Sequence, residues 1–431
     1  MSARPMIACR TILRYPWLIP VFLLFSSCAF LQAPLGLGET TAAVLWTDRP
    51  EFALYAANFN TSQSRYKIEV RYFESLAQKL TNTTEYPDIA VGSWLKSVST
   101  RTLFRPLDDL FKNKSLDPKA FYSQVLALGR IEDKQYLFPV SFNLPALVVS
   151  RKNSGLFSNL FVTGLEEIKS LGKEYNRKTN GSFSRMGFSP SWNNDFLFVT
   201  VALFNTSFRE ASPLAWDPQA LDQAILYIRD WIEEVNGGVD AEDDFIFKYF
   251  YEPPSKLAIA ERILFTYMDS SEFFILNDEQ RSGLDFRWIA ENDTIPLLED
   301  TTYFGICKAG KARKASRAFT QWFFQEETQR SFLEQSRANR LNETFFGIAH
   351  GFSALKTVTE QIFPQYYPGL LGHVPPETFL LPPNILPGRW TAIKDQVILP
   401  YLHDRIRSPS RTEVRTLERS LADWLRVNRG S

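Results

Sequence analysis

Apolar and polar positions near the start of the chain follow two rhythms. Ala42 to Trp46 is an apolar run of strand length, and Tyr66 to Tyr72 alternates with period two. Between them Phe52, Tyr55, Ala56 and Phe59 recur at helical spacing, behind the helix-start pair Asp48 and Pro50. Leu76 to Leu80 predicts a short helix, and Asp88 to Val91 a third strand between Pro87 and Gly92. Strand and helix alternating over so short a length predict right-handed crossovers and a parallel sheet.

Further on, Val140 to Val149 reads as one extended run. Asp217 and Pro218 open a helix whose Leu221, Ile225, Ile228 and Ile232 share a face, and Gly237 and Gly238 close it. Leu257 to Phe265 predicts a helix running into a strand, and Thr301 to Cys307 a strand. Ala312 to Phe332 predicts one long helix with Ala315, Phe319, Trp322 and Phe323 turned inward. The prolines from Pro364 to Pro387 predict an irregular wrap, and Thr412 to Val427 a final amphipathic helix. No repeat or low-complexity linker separates these segments, so two lobes are expected to interleave.

The first residues read as an address. Arg4, Arg10 and Arg14 carry charge with no acid among them, and Trp17 to Phe25 is apolar. That run is shorter than the roughly 20 residues a bilayer-spanning helix needs. With Ser26, Ser27 and Cys28 it has the layout of a secretory signal. The end of the run resembles the lipobox of bacterial lipoproteins, with Phe25 where leucine is usual. The resemblance implies cleavage before Cys28 and acylation of that cysteine, with palmitate among the chains carried. An ordinary signal peptide cut near the same place is the other reading. Cys9 falls in the discarded part, which leaves Cys307 alone in an apolar run, read as a small hydrophobe.

Charge and length narrow the class. Lys plus Arg and Asp plus Glu number 48 each, so losing three arginines with the signal leaves the mature chain slightly acidic. That excludes a strongly basic nucleic-acid binder. A mature chain of about 400 residues suggests two domains or lobes. Aromatics make up 14% of the chain, which suits a large core or a ligand cleft.

The order of segments resembles the extracellular solute-binding proteins of ABC importers, of the sugar-binding type that includes maltose-binding protein. Four stretches carry the likeness: Val44 to Asn60, Tyr86 to Trp94 (YPDIAVGSW), Tyr136 to Lys152 (YLFPVSFNLPALVVSRK) and Phe304 to Phe332. The resemblance implies an α/β, two-lobed periplasmic-binding-protein-like fold of type II. Each lobe would be a mainly parallel sheet flanked by helices, with a hinge between them and a ligand in the cleft. On that basis residues 1–27 are the signal and 28–41 a tether. Residues 42–140 form the first lobe, joined by 300–335, and 141–299 the second, with parts of 336–431. The resemblance also implies a monomer that binds a small solute of carbohydrate type, partners ABC permease subunits and needs no cofactor. The Phe142 to Pro145 crossover, the Phe345 to Phe352 segment (FFGIAHGF) and the Pro-rich C-terminus depart from the family's pattern and leave the solute open.

Sugars are held by aromatic faces and paired hydroxyl-bonding groups, and in open α/β sheets the site lies beyond the strand ends. Trp46 and Trp94 each end a predicted strand, with core packing as the alternative reading for both. Asp48 is a ligand contact or a helix cap, the two being compatible. Asn143 lies in the crossover. Trp192, Asn193, Asn194 and Asp195 form an aromatic and polar cluster, or else an Asx turn opening a helix. Tyr267, Asp269 and Ser270 follow a strand where the family places second-lobe contacts. Trp46, Trp94 and Trp192 are expected to line one cleft from opposite lobes. His350, Arg49 and Arg287 are read as structural.

Nothing in the sequence favours an enzyme. His350, His373 and His403 are scattered, and no HExxH, CxxC, GxSxG or phosphate-cradling glycine loop occurs. A lipid-anchored interaction protein of the same fold is the main alternative. A surface glycoside hydrolase is a third reading, distinguished by a pair of carboxylates across the cleft.

Overall fold

Two sheets organise the chain in a computed structural model that describes residues 41–112, 115–212, 214–408 and 415–428. Residues 1–27, expected as a signal, and Cys28 lie outside them. The strands that matter are β1 (Thr41–Thr47), β2 (Tyr66–Tyr72), β3 (Ile89–Gly92), β4 (Leu137–Phe142) and β5 (Pro145–Ser150). β6 (Val162–Thr163), β7 (Phe265–Asp269), β8 (Leu284–Ile289), β9 (Thr302–Ile306) and β10 (Phe352–Ser353) complete them. The first sheet runs β10-β4-β9-β3-β1-β2 and the second β7-β5-β8-β6.

The α/β, two-lobed architecture is as the sequence suggests, but the strand directions are not. In the first sheet β2, β1 and β3 form a parallel group, and in the second β8 and β6 pair in parallel. β9 is antiparallel to both β3 and β4, and β5 is antiparallel to both β7 and β8. The reason is topological. These strands enter from the other lobe through a hinge, not over a helix on the same sheet, so no crossover forces them parallel.

The run expected as one strand from Val140 to Val149 is two strands in different sheets, divided at Asn143 and Leu144. The second crossing joins β8 to β9, and the two are bonded together: Leu298 N–H donates to the Asn143 carbonyl at 3.0 Å. The Asn143 side chain donates to the His350 carbonyl at 2.9 Å and accepts from Ser270 Oγ at 2.7 Å. Asn143, expected at the ligand, is a buried hinge tie and is not among the residues that line the cleft described below.

Apolar packing does not stop at this hinge. The ring of Phe352 lies 5.8 Å from Phe142, 6.3 Å from Phe274 and 5.9 Å from Trp288, bridging both sheets. Phe346 stacks on Phe274 at 5.1 Å. The FFGIAHGF segment thus plugs the back of the molecule, and one apolar cluster runs from the first sheet onto one face of the second. Gly347 makes the plug's turn possible: its φ is +59°, and a Cβ there would meet the Gly351 carbonyl at 2.3 Å. Two separately folded halves are not what is seen on this side.

The helices follow their sequence signals closely. Asp217 caps Pro218–Asp230 by accepting from Gln219 and Ala220 N–H groups. The long helix expected from Ala312 is two, Arg313–Phe323 and Glu326–Ala338, parted where Gln325 is extended. Near the C-terminus, Trp390–Ile393 and Leu399–Arg407 are joined by a π turn, Lys394–Ile398. Pro400 supplies the cause, since it has no N–H for a normal helical bond. Among the described residues no helix is long and apolar enough to cross a membrane.

Candidate functional site

A cleft of about 760 Å³ opens where the end of β3, the end of β7, the β8–β9 crossing and the helical run that starts at Trp390 converge. Trp94 enters it from the first sheet. Phe198, on the helix Asn194–Leu203, and Tyr267, on β7, enter from the second, while Trp390 and Lys394 come from the helical run Trp390–Ile393 and Lys394–Ile398. The result is an aromatic lining with carboxylates set into it.

The backbone bends unusually around this space. Trp94 has φ +63°, and Asn205, Ser207 and Asn292, which also line the cleft, have φ between +51° and +60°. A bulky residue in the left-handed region costs on the order of 1–3 kcal/mol, and such strain gathers at functional sites.

Several polar atoms at the cleft are buried without partners. The Tyr267 hydroxyl, Trp390 Nε1 and Glu299 Oε1 have none, while Tyr267 and Trp390 are 4% and 0% exposed. Groups of this kind cost free energy unless something bonds them. Lys394 is engaged: its ammonium lies 3.1 Å from Asp195 and 3.3 Å from Glu299, over the Phe198 ring at 4.6 Å. Burial alone would lower the Lys394 pKa, but those two carboxylates outweigh it and raise it. Burial raises the Glu299 and Asp269 carboxyls, and neighbouring carboxylates add to the effect. The Tyr267 hydroxyl is pushed far up by burial, then by Asp269, Asp195, Glu272 and Glu299 around it.

The sequence-derived candidates divide. Trp94, Asp195, Tyr267 and Asp269 are brought together on the cleft. Asp269 also opens the helix Ser270–Ile275 with a capping box, accepting from Glu272 N–H at 2.8 Å. Trp46 is not among the lining residues. It packs 4.7 Å from Phe73 beneath the Lys79 ammonium, because the alternation of β1 turns it to the face that Phe73 covers. Trp192 is also absent from the lining. It stacks on Phe245 at 5.8 Å, since Asn193 caps the following helix and turns the indole back into the second lobe. Asn194 faces outward, its Oδ1 2.8 Å from His403 Nε2.

Asp48 does not cap a helix. Its carboxylate accepts from Ser93 N–H at 3.1 Å, tying β1 to β3 behind the cleft, and burial pushes its pKa up to about 6. Gly92 allows this approach, because a Cβ there would fall 2.6 Å from the Asp48 carboxylate. Arg49 donates to Ser93 Oγ at 2.6 Å and to Thr302 Oγ1 at 2.9 Å. Arg287 is 1% exposed and donates to Asp285 at 3.0 Å. Cys307 is buried, its thiol pushed up to about 12 by burial.

Sequence reading missed Trp390, Lys394, Phe198 and Phe208. The available signal was Trp390 and Lys394 standing one helical turn apart, on one face of a helix hidden behind prolines.

Three comparisons bear on this geometry. A search of curated proteins finds no match. Among solved structures, an ABC substrate-binding protein from Listeria monocytogenes in complex with cycloalternan has a TM-score of 0.60 at 13% identity, covering 91% of this chain and 100% of that one. A cyclic alpha-maltosyl-1,6-maltose binding protein from Arthrobacter globiformis gives 0.58 at 15%, covering 89% and 96%. A maltose/maltodextrin-binding domain from Bdellovibrio bacteriovorus bound to maltotriose gives 0.55 at 13%, covering 90% and 100%. Identities this low speak to the fold alone. The family model described as bacterial extracellular solute-binding protein matches residues 55–338. The chain belongs to the family of bacterial extracellular solute-binding proteins.

Proposed function

We propose that this protein is the solute-capturing receptor of an ABC importer, holding a carbohydrate in the cleft between its lobes. One observation carries the reading: aromatic faces of Trp94, Phe198 and Trp390 surround buried polar atoms of Tyr267, Trp390 and Glu299 that have no protein partner. Rings that cover C–H surfaces, with orphan donors and an acceptor between them, suit a polyhydroxylated ligand. The sugars bound to the structural neighbours support the same class.

In this reading residues 42–140 and 300–335 make the first lobe and 141–299 the second, with Trp94, Asp195, Tyr267 and Asp269 as contacts. To these we add Phe198, Glu299, Trp390 and Lys394. Trp46, Asp48, Asn143, Trp192 and Asn194 serve packing and lobe geometry. The protein is exported, as its family is extracellular, and we assign an acyl anchor to Cys28 and a permease as its partner. Binding without turnover fits a site whose lysine is already neutralised by its carboxylates.

A melting-shift screen of mono- and oligosaccharides, with amino acids and polyols as controls, tests the reading. A saccharide at a hundredfold excess over Kd stabilises the fold by roughly 2.7 kcal/mol. A shift from a peptide or amino acid, with none from any sugar, overturns it.

A further inference from the structure

The cleft carries more negative charge than a neutral sugar calls for. Asp195, Asp269, Glu291, Glu299, Asp300 and Asp395 line it, and Lys394 is the cation among the lining residues. That lysine is spent on Asp195 and Glu299. Arg49, behind the lining, is spent on Asp300, Ser93 and Thr302. Asp269, Glu291 and Asp395 stand in no ion pair among the described residues, and the part-exposed imidazole of His350 is the other basic group acting on Asp269.

These carboxylates also act on one another. Burial first, and then Asp300, raises the proton affinity of Asp269, while burial and then Asp300 and Asp195 raise that of Glu299. Asp269, Asp195 and Glu299, with Glu272, act on the Tyr267 hydroxyl, which is 4% exposed and has no partner. A cluster of like charges around an unsatisfied buried group is unfavourable until an occupant of opposite charge arrives. A metal ion is a poor occupant: among the described residues no three His, Cys, Asp or Glu side chains are placed to hold one. Positive charge spread over an organic ligand fits the wide cleft better.

We infer that the captured saccharide carries a protonated amine, an amino sugar or amine-bearing oligosaccharide, and that sugar acids are excluded. Its ammonium lies beside Asp269, a lining carboxylate on the second-lobe side that no lysine or arginine pairs among the described residues, while its ring stacks against Trp94. This inference rests on the saccharide reading and narrows it.

Calorimetry on the full chain separates the two claims. The probes are glucosamine and galactosamine oligomers, the same oligomers N-acetylated, and oligouronates, each below the pKa of the free amines. N-acetylation keeps the skeleton and removes the charge. The amine forms should bind roughly tenfold tighter than the N-acetyl forms, about 1.4 kcal/mol, and that preference should shrink as salt is added. Oligouronates should not bind. Asp269→Asn and Glu291→Gln, which remove lining carboxylates that stand in no ion pair among the described residues, should each lower the ratio of amine to N-acetyl affinity. Equal or tighter binding of N-acetyl forms, or binding of uronates, overturns the charge inference and leaves saccharide capture standing. Silence from every saccharide overturns both.

Discussion

The guanidinium of Arg49 reaches from the end of β1 to the backbone carbonyl of Asp300, Nη2 to O at 3.2 Å. It thereby joins a first-sheet strand end to the crossing that returns from the second sheet. The same group bonds Ser93 beside Trp94, so strand end, cleft wall and hinge are held by one fork of donors.

Arg49→Ala should therefore destabilise the protein by about 2 kcal/mol, the range for losing charged hydrogen bonds at a mostly buried site. Arg49→Lys should recover little, because a single ammonium does not reproduce the fork. Urea unfolding of the two variants checks this, and near-complete rescue by lysine would contradict the role assigned to the fork.

Asp48 gives a pH signature of unusual sign. Burial raises its folded-state pKa from the ordinary 3.8 to about 6, so between those values the folded protein binds more protons than the unfolded chain. Its contribution to stability is full below about pH 4 and is lost as pH rises through about 6. Asp48→Asn should gain on wild type across that window and then hold a constant advantage, bounded by about 3 kcal/mol. Unfolding free energies of both proteins at a series of pH values give the difference directly. A wild-type advantage that grows with pH would reverse the assignment.

Tyr267→Phe should separate folding from binding. Deleting a hydroxyl that has no partner leaves the free protein as stable or up to about 1 kcal/mol more so. Saccharide affinity should fall by roughly tenfold as the ligand loses a donor. A variant that loses stability while keeping affinity would place the hydroxyl in the fold and not in the site.

Much of the fold was legible because local patterns decide it. The alternation of Tyr66 to Tyr72 and the capped face of Pro218–Asp230 each appear where the residues say they should. Which sheet a strand joins is a non-local matter, and nothing in Val140 to Val149 announces that Asn143 divides it between two. The site was half legible for the same reason. Trp46 and Trp94 both sit at the ends of parallel neighbouring strands, yet only Trp94 takes the left-handed backbone that points it into the cleft. Trp390 stayed hidden because its helix follows a proline-rich stretch and has a π turn of its own.

The anchor is testable independently of the fold. Cys28→Ser should abolish incorporation of labelled palmitate and move the protein from the membrane to the soluble fraction. Retention on the membrane without label would remove the acyl assignment while leaving the cleft untouched.

The most direct test is a crystal structure of the protein grown with the saccharide that gives the largest melting shift. The expected result is ligand density between the Trp94 ring and the helix Asn194–Leu203, with the Tyr267 hydroxyl and Trp390 Nε1 bonded to it. Density at another site, with this cleft holding only water, would contradict the account.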